Sequence, residues 1–371
     1  MVNTFEPALN SIPATPALVL DLSTLTHNAH RLADYAHAHG LQVRPHTKTH
    51  KSLEMARLQL DCGAIGLTVA KVGEAEVMAA ASPDLLVAYP AVDPQRTQRL
   101  AQLAGSATVR VAVDSLAGIE ALANAARAAG TTIGLLVDID VGYHRTGVQS
   151  PAAALELAQR ISNLGPALRL DGLFFYPGQI WSAAAQQDVE LSRVEVLLAE
   201  TIDQWHAAGL SVEIVSGGST PTAFQSHLVP SQTEIRPGTY LFNDMNTVRA
   251  GFSFIEECAA AMLCTVVSTA VPGKAVIDAG TKTLTSDRNA RFPDSGYGCV
   301  LEFPEASLMR LSEEHGEIDI SQSAHPPRIG DRVTIVPNHI CPCINLQDRV
   351  WLQLPDGSLE QMEIDTRGRL I

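Results

Sequence analysis

The segment Pro337–Cys343 carries the sharpest chemical signal in this sequence. His339 and Cys341 lie two residues apart and directly follow an apolar run that predicts a strand. In an extended chain, residues i and i+2 point to the same side, so both side chains can bind one borderline-soft cation such as zinc. So few protein ligands leave coordination positions open, which is typical of a catalytic metal site. A His-x-Cys pair also occurs by chance, and Cys343 is expected to be a neighbour of the pair rather than a ligand.

A lysine stands at the end of another strand-like run, Gln42–Lys48. At the end of a buried strand, desolvation and neighbouring cations lower the pKa of an amine. Such a lysine suits a Schiff base with a carbonyl cofactor. The alternative is a lysine whose stem lies along apolar surface while its ammonium group stays in water, and position alone favours that alternative.

Two loops of small and hydroxyl-bearing residues offer what a phosphate group needs. They contain Gly217, Gly218, Ser219 and Thr220 after one apolar run and Gly238, Thr239 and Tyr240 after the next. Glycine lets backbone N–H groups approach a phosphate, and hydroxyl groups add donors. Each loop alone is most often an ordinary turn. Together with Lys48 they point to pyridoxal phosphate, which needs an amine for its aldehyde and a site for its anion.

Arg145 and Tyr176 also follow strand-like runs. The guanidinium group of Arg145 could donate to a phenolate or carboxylate oxygen. The ring of Tyr176 could lie beside a planar cofactor. The alternatives are a surface arginine in a loop and an aromatic side chain at the rim of the core.

The elements that position these residues alternate between apolar runs and amphipathic stretches from residue 41 to about 240. Most runs are continuously apolar, which predicts parallel strands buried on both faces. Helices are predicted between them, for example over Ser115–Ala129, Pro151–Leu164 and Ala183–Ala208. The predicted strands are Gln42–Lys48, Ala64–Val69, Leu85–Pro90, Val109–Asp114, Ile133–Asp140, Leu170–Tyr176, Val212–Gly218 and Glu234–Gly238.

Eight such units predict an α/β fold built on a closed (β/α)₈ barrel of the TIM type. Chemistry in such barrels gathers at the carboxyl ends of the strands, where Lys48 and the loops above are expected. A doubly wound open sheet is the alternative. It usually has fewer strands, and no G-x-G-x-x-G motif follows an early strand here.

A second, mostly antiparallel β domain is predicted after about residue 250, where strand-like runs are separated by turn residues. Pro16–Leu22 is also strand-like and is assigned to this domain, because the barrel already has eight strands. The predicted domains are therefore the barrel over residues 23–250 and a β domain formed by residues 1–22 and 251–371. The later predicted strands are Ala259–Thr269, Lys274–Asp278, Arg332–Val336 and Val350–Leu354.

The composition excludes several functional classes. The chain has 371 residues, of which 46% are hydrophobic and 18% charged, as in a soluble globular protein. Its net charge of −14 argues against a nucleic-acid binder or a protein of anionic membranes, although local donors can still hold a small anion. No run could span a bilayer, no signal peptide is visible, and most of the six cysteines are widely scattered. We therefore expect a cytoplasmic enzyme.

The sequence resembles the fold-type III pyridoxal-phosphate enzymes with an alanine-racemase-like barrel, and more narrowly the D-threonine aldolase and D-serine dehydratase family. The resemblance covers nearly the whole chain. Its most specific part is the combination of PHTKTHK, residues 45–51, with PNHIC, residues 337–341. It implies Lys48 as the Schiff-base lysine and His339 with Cys341 as ligands of a divalent metal, zinc before manganese.

The same resemblance implies further roles. Arg145 and Tyr176 would lie near the cofactor ring, and the two loops would hold its phosphate. Arg236 occupies the position at which alanine racemases keep an arginine against the pyridine nitrogen. Members of the family are commonly homodimers whose active sites use both subunits.

The resemblance implies a lyase that acts on small D-β-hydroxy-α-amino acids. The dehydratase branch carries cysteine two residues after the histidine and the aldolase branch tends to carry aspartate, so Cys341 favours dehydration. The substrate would be of the D-serine or D-threo-3-hydroxyaspartate type, and the products a 2-oxo acid and ammonia. The alternative is a D-threonine or 3-hydroxy-D-aspartate aldolase, which releases glycine and an aldehyde.

Three other interpretations of the function remain as alternatives. A racemase needs a second acid/base, typically tyrosine, but Tyr297 lies in no racemase-like motif, and PNHIC has no role in a racemase. A pyridoxal-phosphate carrier resembles a lone barrel, which the second domain argues against. The last is a barrel that binds some phosphorylated metabolite.

Overall fold

The computed structural model describes residues 4–371. The chain forms two compact units. The barrel unit comprises residues 30–48, 52–238 and 368–371, and the β unit comprises residues 4–29, 49–51 and 239–367. The domain boundaries given above stay a prediction.

Seventeen strands and eleven α-helices are found in residues 4–371. The strands are β1 Ala17–Asp21, β2 Gln42–Val43, β3 Leu67–Val69, β4 Asp84–Val87, β5 Thr108–Val113, β6 Ile133–Asp138, β7 Leu168–Phe174, β8 Ile214–Gly217, β9 Glu234–Ile235, β10 Ala260–Ser268, β11 Lys274–Ile277, β12 Gly298–Val300, β13 Ser307–Leu311, β14 Gly316–Asp319, β15 Arg332–Pro337, β16 Arg349–Gln353 and β17 Leu359–Glu363. The helices are α1 Glu6–Ser11, α2 Leu22–Ala38, α3 Leu53–Asp61, α4 Val72–Met78, α5 Pro94–Leu103, α6 Leu116–Ala129, α7 Pro151–Asn163, α8 Gln187–Ala207, α9 Met245–Arg249, α10 Thr281–Leu284 and α11 Ile340–Asn345.

The barrel unit is an eight-stranded parallel sheet in the order β2-β9-β8-β7-β6-β5-β4-β3. Its two ends meet at a parallel bridge between His46 and Thr68. The N–H of Ile65 also donates to the carbonyl of Val43 there, at 2.9 Å. The predicted fold class and all eight predicted barrel strands are confirmed, although most strands are shorter than their apolar runs.

Continuous apolar runs form these strands because both faces are covered. Every residue of β6 is buried, as expected of a strand with side chains on one face and helices on the other. Two of the helices, α6 and α7, begin after a serine that caps their first turn. The hydroxyl of Ser115 accepts from the N–H of Gly118, and that of Ser150 accepts from the N–H of Ala153. The predicted helix over Ala183–Ala208 begins instead with a short 3₁₀ turn and becomes α-helical only at Gln187.

Charged residues fill the amino-terminal end of the barrel interior. Arg44 is almost fully buried and contacts Glu234 at 3.0 Å and Asp84 at 2.5 Å. Asp84 also pairs with Arg110 at 2.5 Å, and Arg110 lies 2.8 Å from Asp171. The barrel is therefore held at this end by a chain of ion pairs rather than by apolar packing alone.

Two glycines make room for these charges. A Cβ atom on Gly66 would collide with the guanidinium group of Arg44, and one on Gly134 would collide with the carboxylate of Asp171. Glycine is thus required at both positions by the close approach of a charged side chain.

The β unit contains a sheet with the main order β13-β14-β11-β10-β1-β16-β17, with β15 beside β10 and β12 beside β15. β1 pairs antiparallel with β10 and parallel with β16. The predictions that Pro16–Leu22 belongs to the second sheet and that this sheet is mostly antiparallel are confirmed. Between its strands β10 and β17 lie two short α-helices, α10 and α11. Within residues 4–371, no helix is both long and apolar enough to cross a membrane.

Candidate active site

Lys48 lies just beyond the hydrogen-bonded end of the first barrel strand. The regular strand β2 ends at Val43. Individual bonds continue as far as Thr47, whose N–H donates to the carbonyl of Thr68 at 2.8 Å. Lys48 follows in a turn and is exposed. The predicted burial of this lysine at the end of a continuous strand is therefore wrong, but its place at the carboxyl end of the barrel agrees with the prediction.

The loop after β8 is compact. Gly218 has a positive φ of 85°, and the ring of Phe175 leaves no room for a Cβ atom on Gly217. The N–H of Ser219 donates to the hydroxyl of Thr222 at 3.1 Å, and both residues are buried. Thr220 lies in the same turn. The loop thus has the small residues and hydroxyl groups that phosphate binding requires.

The second predicted phosphate loop divides between the two units. Gly238 belongs to the barrel unit, whereas Thr239 and Tyr240 belong to the β unit and begin a short 3₁₀ turn, Thr239–Leu241. Tyr240 is buried. The hydroxyl of Thr239 lies 3.5 Å from Cys341 Sγ. This threonine, predicted as a phosphate residue, thus contacts one of the predicted metal ligands.

Arg145 and Tyr176, predicted from separate strand ends, are in contact. The guanidinium carbon of Arg145 is 4.7 Å from the ring centroid of Tyr176 and 5.2 Å from that of Tyr143. The two tyrosine rings meet edge to face, with centroids 5.2 Å apart. The arrangement presents a cation and an aromatic ring side by side, as a planar anionic ligand requires.

Asp140 holds the loop that carries Arg145. Its carboxylate accepts from the backbone N–H groups of Gly142 and His144, both at 3.0 Å, and from Gln149 at 3.1 Å. His144 Nδ1 lies 2.6 Å from the same carboxylate. Although burial acts to raise the pKa of Asp140, these hydrogen bonds lower it to about 2. The loop is therefore fixed by a carboxylate that stays ionised.

His339 and Cys341 lie at the start of α11 rather than along a strand. β15 ends at Pro337, His339 is extended, and Cys341 is already in the first helical turn. Asp244 makes this start of a helix favourable, because its Oδ2 accepts from the N–H of Ile340 at 3.1 Å. The expected extended i, i+2 geometry is wrong, but the side chains of the pair still meet.

The pair behaves as a coupled acid and base. Burial acts to lower the pKa of His339, but Cys341 and the carboxylates of Asp244 and Asp287 outweigh it and raise that pKa to about 10. Burial acts to raise the pKa of Cys341, but hydrogen bonds to its sulfur, chiefly from His339, hold that pKa below its ordinary value. Both effects favour a thiolate, the form of cysteine that binds metals.

The donor set fits a divalent metal with open positions. Asp287 Oδ2 lies 2.8 Å from His339 Nδ1, which leaves Nε2 for the thiolate or a metal. The hydroxyl of Thr49 lies 3.3 Å from Cys341 Sγ. Within the described chain, no group of three or more His, Cys, Asp or Glu side chains could hold a metal. The pair can therefore supply two ligands, one nitrogen and one sulfur, of the kinds that zinc accepts.

Cys343 is not oriented toward this pair. Its buried thiol donates to the carbonyl oxygens of Leu284 and His339, at 3.1 and 3.3 Å. Asp287 and Thr49, which do surround the pair, were not predicted. Thr49 lies in PHTKTHK, and Asp287 closes DAGTKTLTSD, residues 278–287, which also resembles the family. Neither residue has a spacing that indicates chemistry by itself.

Two known families match this chain. Residues 20–246 match the family described as "Alanine racemase, N-terminal domain", and residues 259–352 match "Putative serine dehydratase domain". The chain belongs to the fold-type III pyridoxal-phosphate family. The predicted resemblance is thereby confirmed.

The relatives of this family member include lyases of two kinds. The 3-hydroxy-D-aspartate aldolase of Paracoccus denitrificans (strain Pd 1222) is 33% identical over 368 residues, covering 96% of this chain and 92% of that protein. The D-threo-3-hydroxyaspartate dehydratase of Delftia sp. (strain HT23) is 31% identical over 344 residues, covering 88% and 90%. A solved cysteine-to-alanine variant of a D-threo-3-hydroxyaspartate dehydratase, in its metal-free form, has a TM-score of 0.88 at 30% identity, covering 96% and 98%.

Pyridoxal phosphate is the cofactor expected for this family, and the barrel unit has suitable donors. Lys48 offers an exposed amine, Ser219 and Thr220 offer hydroxyl groups, and Arg145 offers a cation beside Tyr176. The guanidinium group of Arg236, which the resemblance places at the pyridine nitrogen, forms hydrogen bonds with other residues of the barrel unit. It donates to the hydroxyl of Ser216 and to the carbonyl of Phe175, both at 2.8 Å.

Proposed function

We propose that this protein is a pyridoxal-phosphate- and metal-dependent lyase that eliminates water from D-β-hydroxy-α-amino acids. Hydrolysis of the released enamine then takes up one water and gives a 2-oxo acid and ammonia. The observation that carries the proposal is the His339–Cys341 pair with Asp287 behind the histidine. A racemase has no use for a metal at the β-carbon, whereas a lyase that expels a hydroxyl group does. A hydroxyl group is a poor leaving group because it departs as hydroxide, and a Lewis acid stabilises the charge that develops on its oxygen.

Different residues of the chain would hold the cofactor, move the proton at Cα and hold the metal. Bound pyridoxal phosphate supplies an electron sink for negative charge at Cα. Lys48 would hold the cofactor's carbonyl group through its amine, and the same amine would serve as the base for the proton at Cα. The loop around Gly217, Gly218, Ser219 and Thr220 holds the phosphate, with Gly238, Thr239 and Tyr240.

Arg145 and Tyr176 orient the ring of the cofactor. His339 and Cys341 would hold a divalent metal, for which zinc is our first choice, and the metal would supply Lewis-acid assistance to loss of the substrate's β-hydroxyl group. Asp287 keeps His339 in the tautomer that binds metal through Nε2.

Dehydration is favoured over aldol cleavage by Cys341. Solved variants of D-threo-3-hydroxyaspartate dehydratase exchange a histidine and a cysteine two positions apart for alanine, and the cysteine variant is in a metal-free form. His339 and Cys341 have that spacing. The second candidate is 3-hydroxy-D-aspartate or D-threonine aldolase activity, because an aldolase of Paracoccus denitrificans is as similar to this chain as the dehydratase of Delftia is.

Product analysis by NMR tests the proposal. Protein loaded with pyridoxal phosphate and zinc is incubated separately with D-serine, D-threonine and D-threo-3-hydroxyaspartate. A 2-oxo acid with ammonia is expected. Glycine with an aldehyde or glyoxylate would instead establish the aldolase, and a change of configuration alone would establish a racemase.

Two variants separate the cofactor from the metal. The K48A protein is expected to lose both product formation and the visible absorption of bound cofactor. Borohydride should attach the cofactor mass to Lys48 in the wild type and leave this peptide unmodified in K48A. The H339A protein is expected to keep the absorption and lose the product. An unaltered spectrum in K48A, or full activity of H339A after chelation, would contradict the assigned roles.

The oligomeric state is a separate proposal. We infer a homodimer from the family, and light scattering of the loaded protein at several concentrations tests it. A monomeric mass at all concentrations would rule it out.

A further inference from the structure

Two arginines near His339 have only neutral hydrogen-bond partners. Arg249, at the end of α9, contacts the hydroxyl of Ser295, the side-chain oxygen of Asn338 at 3.3 Å and the carbonyl of Gly298 at 3.4 Å. Arg288 donates to the carbonyl of Pro293 at 3.3 Å. Among residues 4–371, no carboxylate lies within ion-pair distance of either guanidinium group.

Both arginines are tied to one short turn. The 3₁₀ turn Pro293–Ser295 accepts from Arg288 at its first residue and from Arg249 at its last. The guanidinium carbon of Arg288 also lies 5.3 Å from the ring centroid of Tyr297, just after the turn. Asp294, the acid inside the turn, forms no ion pair with either arginine. Arg249 and Arg288 therefore both contact this turn, and no carboxylate of the turn forms an ion pair with them.

The same two arginines are one contact away from the candidate metal pair. Arg288 directly follows Asp287, whose carboxylate contacts His339 at 2.8 Å. Arg249 contacts Asn338, the residue before His339. Asn338 in turn donates to the carbonyl of Asp287 at 3.2 Å. The cations and the pair thus belong to one connected group of side chains within the β unit.

A half-buried cation without a counter-ion is unfavourable by itself. Burial lowers the pKa of Arg249, which shows that its charge is poorly solvated where it lies. Arg288, in contrast, is exposed and can reach a ligand from solvent. Guanidinium groups bind carboxylates through paired N–H donors, so an anion of this type would satisfy both residues.

We propose that Arg249 and Arg288 bind a second carboxylate on the substrate, so that the preferred substrate is a D-β-hydroxy amino acid of the 3-hydroxyaspartate type. The inference rests on the proposed function. There, His339 and Cys341 hold the metal at the β-hydroxyl, and a second carboxylate is attached to the same carbon. D-Serine has only hydrogen at this position, so its turnover does not depend on the two arginines.

The test compares two substrates in holoenzyme loaded with pyridoxal phosphate and zinc. In R288A, kcat/KM for D-threo-3-hydroxyaspartate should fall about 10- to 100-fold, mostly through KM, because one charge-assisted contact is lost. The value for D-serine should change less than about threefold, since the remaining contacts are unaffected. R249M should act in the same direction. R349A, which removes an exposed arginine paired with Glu363, is the control and should change neither value.

Succinate binding gives a readout that is independent of turnover. Wild-type protein should bind this dicarboxylate, measured by calorimetry, at least tenfold more tightly than R288A does, and added salt should weaken the binding. Equal losses for both substrates in R288A, or no loss for either, would overturn the proposal. If the wild type converts neither substrate, the proposed function is wrong, and the succinate titration alone then decides whether the anion site exists.

Discussion

Two neighbouring carboxylates of the barrel unit have different pKa values because one is buried and the other accepts several hydrogen bonds. Asp138, at the end of β6, is buried, and this raises its pKa to about 6 although the hydroxyl of Thr146 donates to it. Asp140, two residues later, accepts several hydrogen bonds and its pKa is lowered to about 2. Side chains this close in sequence thus have opposite shifts, and no sequence pattern distinguishes them.

The raised pKa of Asp138 predicts a pH dependence of stability. Between about pH 4 and 6 the folded protein keeps a proton on Asp138 that the unfolded chain has lost, so stability falls as pH rises through this window. Above it, the buried carboxylate costs on the order of 3 kcal/mol. Asp138→Asn removes this cost and keeps an oxygen acceptor for Thr146.

Urea unfolding measured from pH 4 to 8 tests the effect. Asp138→Asn should match the wild type at pH 4 and exceed its stability at pH 8. The control Asp34→Asn removes the same charge from an exposed position on α2 and should follow the wild type throughout. A constant difference between Asp138→Asn and the wild type at all pH values would show that Asp138 does not titrate in this range.

Among the elements, the barrel strands could be predicted because burial on both faces leaves a continuous apolar run. The start of α11 could not. His339 and Cys341 follow a strand, and the alternation of side chains along a strand predicts that they lie together. They do lie together, but Cys341 belongs to a helix. The helix begins at Ile340 because Asp244, almost a hundred positions earlier in the chain, accepts its N–H. The spacing of residues near Ile340 cannot indicate a partner so far away in the sequence.

Asp244 caps two helices, which predicts separable effects of its substitution. Its Oδ1 accepts from the N–H groups of Asn246 and Thr247 in α9, both at 3.1 Å, while Oδ2 accepts from Ile340 in α11. Asp244→Asn keeps one acceptor oxygen and should fold, but it leaves the N–H of Ile340 unpaired. Because Cys341 is in that first turn, zinc affinity should fall at least about tenfold, the equivalent of one lost hydrogen bond.

A chelator competition titration measures the zinc affinity, and thermal unfolding measures stability. Asp244→Ala should lose more stability than Asp244→Asn, since all three N–H groups lose their acceptor. Ser115→Ala, which removes the cap of α6 in the barrel unit, should cost about 1 kcal/mol and leave zinc affinity unchanged. Wild-type zinc affinity in Asp244→Asn would show that the cap does not position Cys341.

For the whole molecule, composition and patterning could indicate the class of fold but not what fills the barrel. Apolar runs predict the strands, yet Arg44, Asp84 and Glu234 point inward from three of their ends. The Arg44–Asp84 and Arg44–Glu234 contacts join residues that are 40 and 190 positions apart. Charged residues at strand ends are usually exposed to solvent, so the sequence does not predict that they form a buried network. Only the folded chain shows it.

Glu234 is the group on which this network depends most. Its carboxylate is 3% exposed, contacts Arg44 at 3.0 Å and accepts from the hydroxyl of Ser216 at 2.5 Å. Ser216 in turn accepts from Arg236, so one carboxylate serves two buried cations. Removing its charge leaves Arg44 with Asp84 as its remaining ion partner, and a lost partner in a buried pair typically costs about 3–5 kcal/mol.

Glu234→Gln is therefore expected to destabilise the barrel unit by about 3 kcal/mol in urea unfolding followed by circular dichroism. Glu120→Gln removes the same charge from an exposed pair with Arg160, at 2.8 Å, and provides the matched control. It should change stability by less than about 0.5 kcal/mol, as expected of a surface ion pair. Equal effects of the two variants would mean that the buried chain of charges contributes no more than a surface contact. The barrel would then owe its stability to the apolar layers between its strands and helices.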